Sequence, residues 1–491
     1  MHRKGRIERE LDVDAARYTS SLHFDKEILE SVILVNITHV KLLEKMGIIP
    51  SDLAEKAERY LQEMLTKPPS LDDPKYEDVH MVIEAELTKY VPQIGALLAL
   101  GKSRNDAVAT AIRLRLKERL LNIHECCVTF CEALLRKALE ESETIFPVYT
   151  HLQRAAPATF GFVMHSYAIR FLKALQHVKM IYELVDESPL GSAAVAGTSV
   201  PLDREYAASL LGFSKVSQNA LESTASRDFI IEALSCLSII ALILSSLSEE
   251  FVVFSSEEFG LIEFPEEFSA TSSIMPQKRN PVVAEIARTK VSELLGLLTS
   301  AITMSARQVS GYNLDLQQIT PKLWQAFEIV EETLHVMAKL IPNLKVNKDR
   351  CMAACSPPTG IVEVANNLSL KYGVPFRNAH AFAGRISKLM YEGNLDEASF
   401  QKTKAEFSID APLTLEDVMK LMEPARVVRS YTTFGSANPE LVKRAVENAM
   451  RDLEDEKRWT RNKKTSLEFA LNKLKGRDWV QKSLITVRAH R

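Results

Sequence analysis

Three short polar segments, each rich in side chains that bind anions or move protons, stand immediately before long apolar stretches. They are SRND at residues 103–106, YTHLQR at residues 149–154 and SSIMPQKRN at residues 272–280. The N-terminus of a helix exposes free N–H groups and partial positive charge, so it is a ready site for an anion. For any one segment, helix capping alone is the simpler interpretation. All three together, enriched in Arg, Lys, Asn, Thr and His, predict a site for a ligand that carries several carboxylates.

The sequence motifs of several common catalytic mechanisms are absent. The chain has no Walker-type phosphate loop, no GxGxxG, no HExxH and no GxSxG, and its 11 histidines are scattered without the spacing of metal ligands. We therefore predict no metal and no cofactor. Side chains alone are expected to do the chemistry, which leaves acid–base catalysis at an activated carbon or hydrolysis.

The elements that position these segments are expected to be helices. Glycine is sparse, at 17 of 491 residues, and strand-like alternation is hard to find. Val108, Ile112, Leu116 and Leu120 recur every fourth residue, which is the spacing of one helix face. The sequence therefore predicts an all-α fold built from long amphipathic helices.

Polar residues and prolines predict where several helices begin. Ser103 and Asp106 have the spacing of a capping box ahead of the apolar run from residue 108. Three prolines suit the first position of a helix, where the missing N–H costs nothing: Pro157, Pro281 and Pro321. Two residues directly before them are predicted N-caps: Asn280 and Thr320.

Composition and charge favour a cytoplasmic protein that binds small molecules. A net charge of −3 gives no electrostatic case for nucleic acid or for an anionic membrane. Residues 1–11, MHRKGRIEREL, lack the apolar stretch of a signal peptide. The six cysteines include no CxxC pair, which predicts buried free thiols in a reducing compartment.

The most apolar segment of the chain, residues 229–247, is long enough to cross a membrane. Glu232 and four serines interrupt it, and Glu249 and Glu250 follow soon after. A central helix surrounded by other helices has the same composition, and we favour that interpretation. The residues after Arg451 alternate acidic and basic side chains, which predicts a solvated helical surface.

At these segments the sequence resembles the aspartase/fumarase superfamily and, within it, the argininosuccinate lyase family. SSIMPQKRNP at residues 272–281 is similar to the mobile signature loop of the superfamily. Further motifs resemble the argininosuccinate branch and occur in the expected order, namely EDVHM at 77–81, SRND at 103–106, YTHLQRA at 149–155, PLGSAAVAGT at 189–198, SRDF at 226–229, YNLDLQ at 312–317 and GVPFRNAH at 373–380. One such motif would be weak evidence, whereas the ordered set is strong.

The resemblance implies an architecture and an activity. It implies three helical domains, with an N-terminal domain at residues 1–102, a central long-helix bundle at 103–350 and a C-terminal domain at 351–491. The Pro-rich CSPPTG at residues 355–360 suits the second boundary. The resemblance also implies a homotetramer in which each active site combines segments from three chains. The implied reaction is the β-elimination of argininosuccinate to arginine and fumarate, a step in arginine biosynthesis.

The same resemblance assigns catalytic roles residue by residue. Ser272 resembles the loop serine that takes the proton from the succinyl Cβ, and Lys278 and Asn280 would hold the carboxylate where negative charge builds. His151 resembles an acid–base histidine with Glu285 as its charged partner. A carbon acid of this kind needs preorganised positive groups, and a serine base needs its alkoxide stabilised. Which of Ser272 and His151 removes the proton stays open, because each could be the base and the other the acid.

Substrate contacts are implied at other positions. Three residues resemble carboxylate contacts: Arg104, Asn105 and Thr150. Three more resemble contacts to the rest of the substrate: Ser21, Tyr312 and Gln317. Arg227 and His80 would lie behind these side chains and hold them in position.

Several residues depart from the pattern of the family. Residues 99–102 read ALGK where the family often has HTGR, Thr271 stands where the loop often has glycine, and residues 318–320 read QIT where the family often has EDK. One alternative is another fumarate-releasing lyase, such as an adenylosuccinate lyase, a family in which an arginine also occurs at the position of Arg279. The other alternative is a non-enzymatic structural derivative. The presence of Ser272, Lys278 and His151 favours an active enzyme.

Overall fold

The computed structural model describes residues 11–73, 75–355 and 358–477 of the chain. Its helices, in chain order, are α1 Val13–Thr19, α2 Leu22–Asp25, α3 Leu29–Lys45, α4 Ser51–Thr66, α5 Val79–Tyr90, α6 Pro92–Gly95, α7 Arg104–Glu140, α8 Phe160–Val185, α9 Arg204–Leu210, α10 Ala220–Ala225, α11 Asp228–Ser255, α12 Val282–Ser305, α13 Asp315–Leu340, α14 Lys348–Cys355, α15 Ile361–Tyr372, α16 Phe376–Tyr391, α17 Glu397–Glu406, α18 Leu415–Leu421, α19 Pro424–Ser430 and α20 Pro439–Leu474. Short strands form three two-stranded sheets: β1 Ile145–Thr150 with β2 Gln153–Thr159, β3 Glu187–Ser188 with β4 Lys215–Val216, and β5 Ile262–Glu263 with β6 Lys345–Val346.

Long helices form the centre of the molecule, and the prediction of an all-α fold is confirmed. Helix α7 runs for 37 residues and packs against α8, α13 and α20. Helix α11 packs against α8, α12 and α13, so these helices share one continuous core. Apolar residues that recur every third or fourth position give each helix one apolar face, and the helices bury these faces against one another. The bundle therefore carries, at its ends, the segments in which polar residues cluster.

The most apolar helix belongs to this core. Helix α11 has a mean hydropathy of 2.3 over its most apolar window, and it is long and apolar enough to span a membrane by those two measures alone. However, 61% of that window is buried inside the chain, where it meets α8, α12 and α13. The packing fits a central helix of a bundle, which is the interpretation that the interrupting Glu232 and serines favoured.

A second, smaller core lies in the C-terminal part of the chain. Its buried residues run from Val364 to Met422 and come from α15, α16, α17, α18 and the turns between them. Helix α20, which follows, packs back along α7 and α8, and its residues Val446, Leu453 and Leu471 join the main core. The predicted boundaries of three domains stay a prediction, and Ser356 and Pro357 of the second boundary lie outside the described residues.

Two of the predicted helix starts are wrong. Pro157 lies in strand β2, opposite Pro147 of β1, rather than at the head of a helix. Pro321 lies inside α13, which begins at Asp315, so Thr320 is not an N-cap. Buried apolar residues on both sides of Pro321, among them Leu316 and Leu323, hold the helix together across the missing N–H. At α12 the helix begins one residue after Pro281, within the ordinary uncertainty of a helix end, but no side chain caps it, so the prediction of Asn280 as an N-cap is wrong.

Candidate active site

The N-terminus of α7 carries two of the predicted substrate contacts and is closed by a capping box. The Ser103 hydroxyl accepts the N–H of Asn105 at 3.3 Å, and the Asp106 carboxylate accepts the N–H of Ser103 at 2.9 Å. The predicted capping box is thus confirmed. Because these N–H groups are already satisfied, the side chains of Arg104 and Asn105 are the groups that this helix end offers to a ligand.

Arg104 and Asn105 reach to different sides of the helix end. The Arg104 guanidinium lies 3.2 Å from the Asp78 carboxylate and 3.5 Å from that of Glu77, both in the segment before α5. The Asn105 amide nitrogen donates to the carbonyl oxygen of Ala194 at 2.9 Å. Arg104 is therefore a half-buried cation shared between two carboxylates, and Asn105 keeps its amide oxygen as an acceptor.

The N-terminal segment and the start of α13 meet at the same place. The backbone N–H of Ser21 donates to the carbonyl of Glu77 at 2.9 Å, and the Gln317 side chain donates to the carbonyl of Thr19 at 3.0 Å. Ser21, Gln317 and Arg104 are thus linked through residues 19–21 and 77–78 of one chain. Three predicted substrate contacts, distant in sequence, are brought together here, and we name this group the Arg104 cluster.

Tyr312, a fourth predicted contact, borders this cluster. Burial raises the pKa of its phenol above the ordinary value, and the Arg227 guanidinium opposes that rise. Three carboxylates nearby raise it further: Asp78, Asp25 and Glu77. The phenol therefore stays protonated and is able to donate a hydrogen bond to a ligand.

Arg227 and His80, predicted to support the site from behind, are both buried. Burial lowers the pKa of Arg227 to about 10, so the guanidinium is charged at neutral pH, and it donates to the carbonyl of Ser226 at 2.9 Å. Burial lowers the pKa of His80 to about 4, so its imidazole is neutral at neutral pH. Neither side chain is exposed to a ligand in the single chain.

Asp25 is a residue of this cluster that sequence reasoning missed. It is buried, and its carboxylate accepts the Ser21 hydroxyl at 2.7 Å and the N–H of Val79 at 3.1 Å. Burial raises its pKa to about 7, against the effect of these hydrogen bonds. The available signal was its position four residues after Ser21, the spacing at which helical side chains meet.

A β-hairpin, not a helix end, carries Thr150 and His151. Strands β1 and β2 pair from Ile145 with Thr159 to Thr150 with Gln153, and His151 and Leu152 form the two-residue turn. Both turn residues have positive φ, 55° and 56° respectively, as a type I′ turn requires. The prediction of an anion-binding helix N-terminus at this segment is therefore wrong, because Pro157 and its neighbours form a strand. His151 is instead presented at an exposed tip.

The third polar segment forms a closed loop. An isolated β-bridge joins Ala270 to Asn280 through two backbone hydrogen bonds of 3.0 and 2.8 Å. Arg279 fixes the base of the loop, because its guanidinium donates to the Glu263 carboxylate at 2.8 Å and to the Phe264 carbonyl. We name residues 270–280 the signature loop. Its tip is exposed, and Arg279 serves its attachment rather than its surface.

Within the signature loop, the hydroxyl oxygen of Ser272 receives backbone N–H groups. The N–H of Ile274 lies 3.3 Å from it and that of Met275 lies 3.2 Å from it. Two such donors stabilise negative charge on oxygen, which is the condition for a serine alkoxide to act as a base. Lys278, on the same loop, is exposed and makes no ion pair within the described part of the chain, so its ammonium is available to an anion.

Helix α12 follows the loop directly. No side chain caps its N-terminus, and its first turn contains Glu285, which is half-buried. Lys278 precedes the N-terminus of this helix by a few residues. The positive charge of its ammonium and the partial positive charge of the helix end both favour an anion at this end of α12. Of the three predicted anion sites, this helix end is the one whose side-chain caps are missing in the structure.

Over residues 11–73, 75–355 and 358–477 of the single chain, no hydrogen bond or ion pair joins the Arg104 cluster, the hairpin tip and the signature loop to one another. In the same ranges, no group of three or more His, Cys, Asp or Glu side chains is placed to hold a metal ion. The cysteines are unpaired thiols, and burial raises the pKa of Cys131, Cys236, Cys351 and Cys355 to about 12.

This fold is that of the aspartase/fumarase superfamily of lyases. A family model described as lyase matches residues 5–296. EDDS lyase in complex with formate superimposes with a TM-score of 0.84 at 24% identity, over 96% of each chain. Class II fumarase from Schistosoma mansoni superimposes with a TM-score of 0.70 at 17% identity, over 84% of this chain and 91% of that one.

Sequence comparison narrows the assignment within the superfamily. A model described as the argininosuccinate lyase C-terminal region matches residues 359–429. The argininosuccinate lyase of Methanothermobacter thermautotrophicus is 37% identical over 469 residues, which cover 93% of this chain and 99% of that protein. That of Methanocaldococcus jannaschii is 37% identical over 91% of this chain and 93% of that protein. The chain belongs to the argininosuccinate lyase family.

Proposed function

We propose that this chain splits argininosuccinate into arginine and fumarate by β-elimination, with Ser272 as the base. The observation that carries the assignment of the base is the pair of backbone N–H groups at the Ser272 oxygen, 3.2 and 3.3 Å away. A serine hydroxyl is a very weak base, so an alkoxide must be stabilised before it can take a proton from carbon. The signature loop supplies this stabilisation from its own backbone.

Loss of the Cβ proton creates a dianionic carboxylate, which needs positive groups that are already in place. Lys278 and Asn280 would hold this carboxylate, aided by the uncapped N-terminus of α12. Lys278 is exposed and carries no ion-pair partner within the described residues. Because the charge on the substrate grows during the step, these contacts strengthen in the transition state and accelerate the reaction.

His151 would act at the nitrogen of the C–N bond that breaks. The guanidinium nitrogen that leaves Cα carries away the electron pair of the C–N bond, and a proton donated there makes it a better leaving group. Glu285 would stabilise the protonated imidazole. The alternative assignment, with His151 as base and Ser272 as acid, uses the same residues.

The Arg104 cluster would bind the arginine part of the substrate. The Ser21 hydroxyl donates to Asp25 and one N–H of the Gln317 amide donates to Thr19, so both side chains keep an oxygen that accepts hydrogen bonds. Acceptors suit the guanidinium and ammonium groups of an arginyl moiety. Arg104, Asn105 and Thr150 would contact its α-carboxylate, and Tyr312 would donate to the same end.

We further propose that the active site is completed in a homotetramer. Helix α12 contains many apolar residues, yet only Ala284, Ala287, Leu294 and Ala301 of its residues are buried in the single chain. Large apolar side chains on α11 and α12 are exposed: Ile239, Leu242, Ile286, Leu295 and Ile302. An exposed apolar surface of this kind marks an interface. Packing of α11 and α12 against other copies would bring the hairpin tip, signature loop and Arg104 cluster of different chains together.

We also propose a cytoplasmic location, in a reducing compartment that keeps thiols free. The cysteines within the described residues are all unpaired, and all but Cys126 are buried. Free buried thiols persist where the surroundings are reducing.

The test is a steady-state assay of fumarate release from argininosuccinate, run beside adenylosuccinate and aspartate. We expect turnover of argininosuccinate, abolished in S272A but retained in S273A. Ser273 is the matched control because it is exposed, adjacent in sequence and on the same loop. Activity with adenylosuccinate alone would overturn the proposal in favour of another fumarate-releasing lyase. No activity with any of the three substrates would favour a structural derivative, and near-normal turnover in S272A would exclude Ser272 as the base.

A further inference from the structure

The segment PLGSAAVAGT, residues 189–198, forms a loop beside the N-terminus of α7, and the reaction steps described above do not use it. We name it the 189–198 loop. Its base is buried, with Gly191 and Ser192 inside the protein, whereas residues 194–199 are exposed. The exposed part carries small side chains and lies against Asn105, whose amide donates to the Ala194 carbonyl at 2.9 Å.

One buried carboxylate fastens this loop to α7. One oxygen of Asp106 accepts the N–H of Ser103 at 2.9 Å, and the other accepts the N–H groups of Gly191 at 3.0 Å and Ala193 at 2.9 Å. Asp106 is fully buried. A buried carboxylate persists only where its acceptor sites are satisfied, and here backbone N–H groups from two segments satisfy them.

The backbone of the loop is held in a conformation that it would not adopt by itself. Gly191 and Ala193 both have positive φ, 89° and 52° respectively. For alanine this region is disfavoured, and such a residue persists where its surroundings hold it in place. Since both residues donate to Asp106, the carboxylate is the group that holds them.

A second set of contacts attaches the loop to the opposite side. The Arg204 guanidinium donates to the Leu190 carbonyl at 3.0 Å and to the Ser192 hydroxyl at 3.0 Å, and Ser192 also lies 2.9 Å from the Ser223 hydroxyl. These contacts do not involve α7. The loop therefore has one attachment that runs through the helix end bearing Arg104 and Asn105, and another that does not.

We propose that Asp106 is a positioning residue that sets substrate affinity by fixing the 189–198 loop against Asn105, so that residues 194–198 form one wall of the site for the arginine part of the substrate. The proposal rests on the proposed function. Asp106 itself is buried beneath the helix end, so it acts through Asn105 and through the loop rather than by contact with substrate. Small side chains at Ala194, Ala196 and Gly197 leave room for a large ligand beside Asn105.

The test compares D106A with the wild type in the assembled enzyme. The methyl group of D106A accepts no hydrogen bond, so the N–H groups of Gly191 and Ala193 lose their acceptor and the loop loses its attachment to α7. We expect KM for argininosuccinate to rise about tenfold while kcat stays within about threefold, the pattern of lost binding without loss of the chemical step. Hydrogen exchange of residues 189–198 should quicken, and that of the signature loop should stay unchanged.

Two further variants separate this role from a general effect on folding. G191A keeps the capping box of α7 but places a Cβ 2.7 Å from Arg204 Cγ at a positive φ, so it displaces the loop without altering Ser103 or Asp106 and should also raise KM. S192A removes the hydroxyl contacts with Arg204 and Ser223, keeps the Arg204 donation to the Leu190 carbonyl, and should leave KM within about twofold. An unchanged KM in G191A, or an equal loss of kcat and kcat/KM in folded D106A, would overturn the proposal. If the wild type fails to turn over argininosuccinate, the proposed function fails, while an unchanged exchange rate in D106A and G191A would overturn the anchoring by itself.

Discussion

A buried polar network joins the C-terminal helix to the bundle, and its removal should loosen α20. The Glu456 carboxylate on α20 accepts three donors: Gln176 at 2.6 Å, Lys179 at 2.9 Å and His124 at 3.0 Å. The other ring nitrogen of His124 lies 2.6 Å from the Thr460 hydroxyl. Burial lowers the pKa of His124, so the ring is neutral, donates to Glu456 and accepts from Thr460. We predict that E456Q destabilises the protein.

The size of the effect follows from the surroundings of this carboxylate. Its hydrogen bonds to His124 and Lys179, together with the Lys179 charge, hold the pKa of Glu456 at about 2, below the ordinary 4.5, although burial opposes them. That difference corresponds to roughly 3 kcal/mol in favour of the ionised form, at about 1.4 kcal/mol for each pH unit. The side chain of Lys179 is 23% exposed, so water screens part of the attraction. We therefore expect E456Q to lower the free energy of unfolding by about 2 kcal/mol at neutral pH.

The dependence on pH has a definite sign. A carboxyl group whose pKa is lower in the folded state stabilises the protein above its unfolded pKa, and this contribution is lost as the pH falls toward the folded pKa. For Glu456 the interval runs from 4.5 down to about 2. The difference in stability between wild type and E456Q should therefore be constant from neutral pH to about pH 5 and shrink below it.

The assay is thermal and urea unfolding at one fixed protein concentration, because association contributes to apparent stability. E454Q is the matched control, since Glu454 lies on the same helix, is 68% exposed and pairs only with Lys457 among the described residues. A surface pair of this kind contributes at most about 1 kcal/mol. Equal midpoints for E456Q and E454Q at neutral pH would show that the buried network does not hold α20 in place.

Two further predictions concern the active site. Burial raises the pKa of Asp25 from 3.8 to about 7, so the folded protein binds this proton more tightly than the unfolded chain, and stability falls as the pH rises across that interval. D25N, which carries no charge, should therefore unfold at a higher temperature than the wild type at about pH 8 and at the same temperature near pH 4; a lower midpoint at the higher pH would contradict the burial argument. H151N should lower kcat by about 10²–10⁴-fold and alter the pH profile of the rate, with H177N on the exposed side of α8 as control. Asparagine tolerates the positive φ of residue 151, so an unchanged profile would argue against an acid–base role rather than reflect a damaged turn.

The sequence predicted those features that depend on local spacing. Ser103 and Asp106 gave the start of α7, because a capping box needs only residues three apart and an apolar run after them. The buried position of α11 followed from its composition and its interrupting polar residues. The helical fold followed from apolar residues that recur with helical spacing over most of the chain.

The features that the sequence did not predict depend on contacts between distant segments. The hairpin at residues 145–159 lacks the Asn-Gly or Gly-Gly pair that usually identifies a type I′ turn, so the sequence indicates a helix start at Pro157 where the structure has a strand. At Pro321 the sequence also indicates a helix start, but tertiary packing of Leu316 and Leu323 carries a longer helix through this proline. The residues after Arg451 were expected to be a solvated surface, whereas one face of α20 is buried, including Glu456 and Leu467. The alternating charges predict the exposed face of that helix but not its opposite, buried face.

Sequence reasoning identified side chains able to bind anions but not which of their hydrogen-bonding groups are already used. At α7 the helix end is capped by its own residues, and Arg104 is shared between Glu77 and Asp78, so this corner offers more acceptors than free positive charge. At α12 side-chain caps are missing and Lys278 is exposed. Under the proposed function, this difference would orient a substrate that has a succinyl group at one end and an arginyl group at the other. The succinyl carboxylates would point toward α12 and the cationic groups toward the Arg104 cluster. Under the proposed function, replacing Lys278 with Met should abolish turnover, whereas replacing Gln317 with Met should chiefly raise KM. The reverse pattern would show that the substrate binds in the opposite direction.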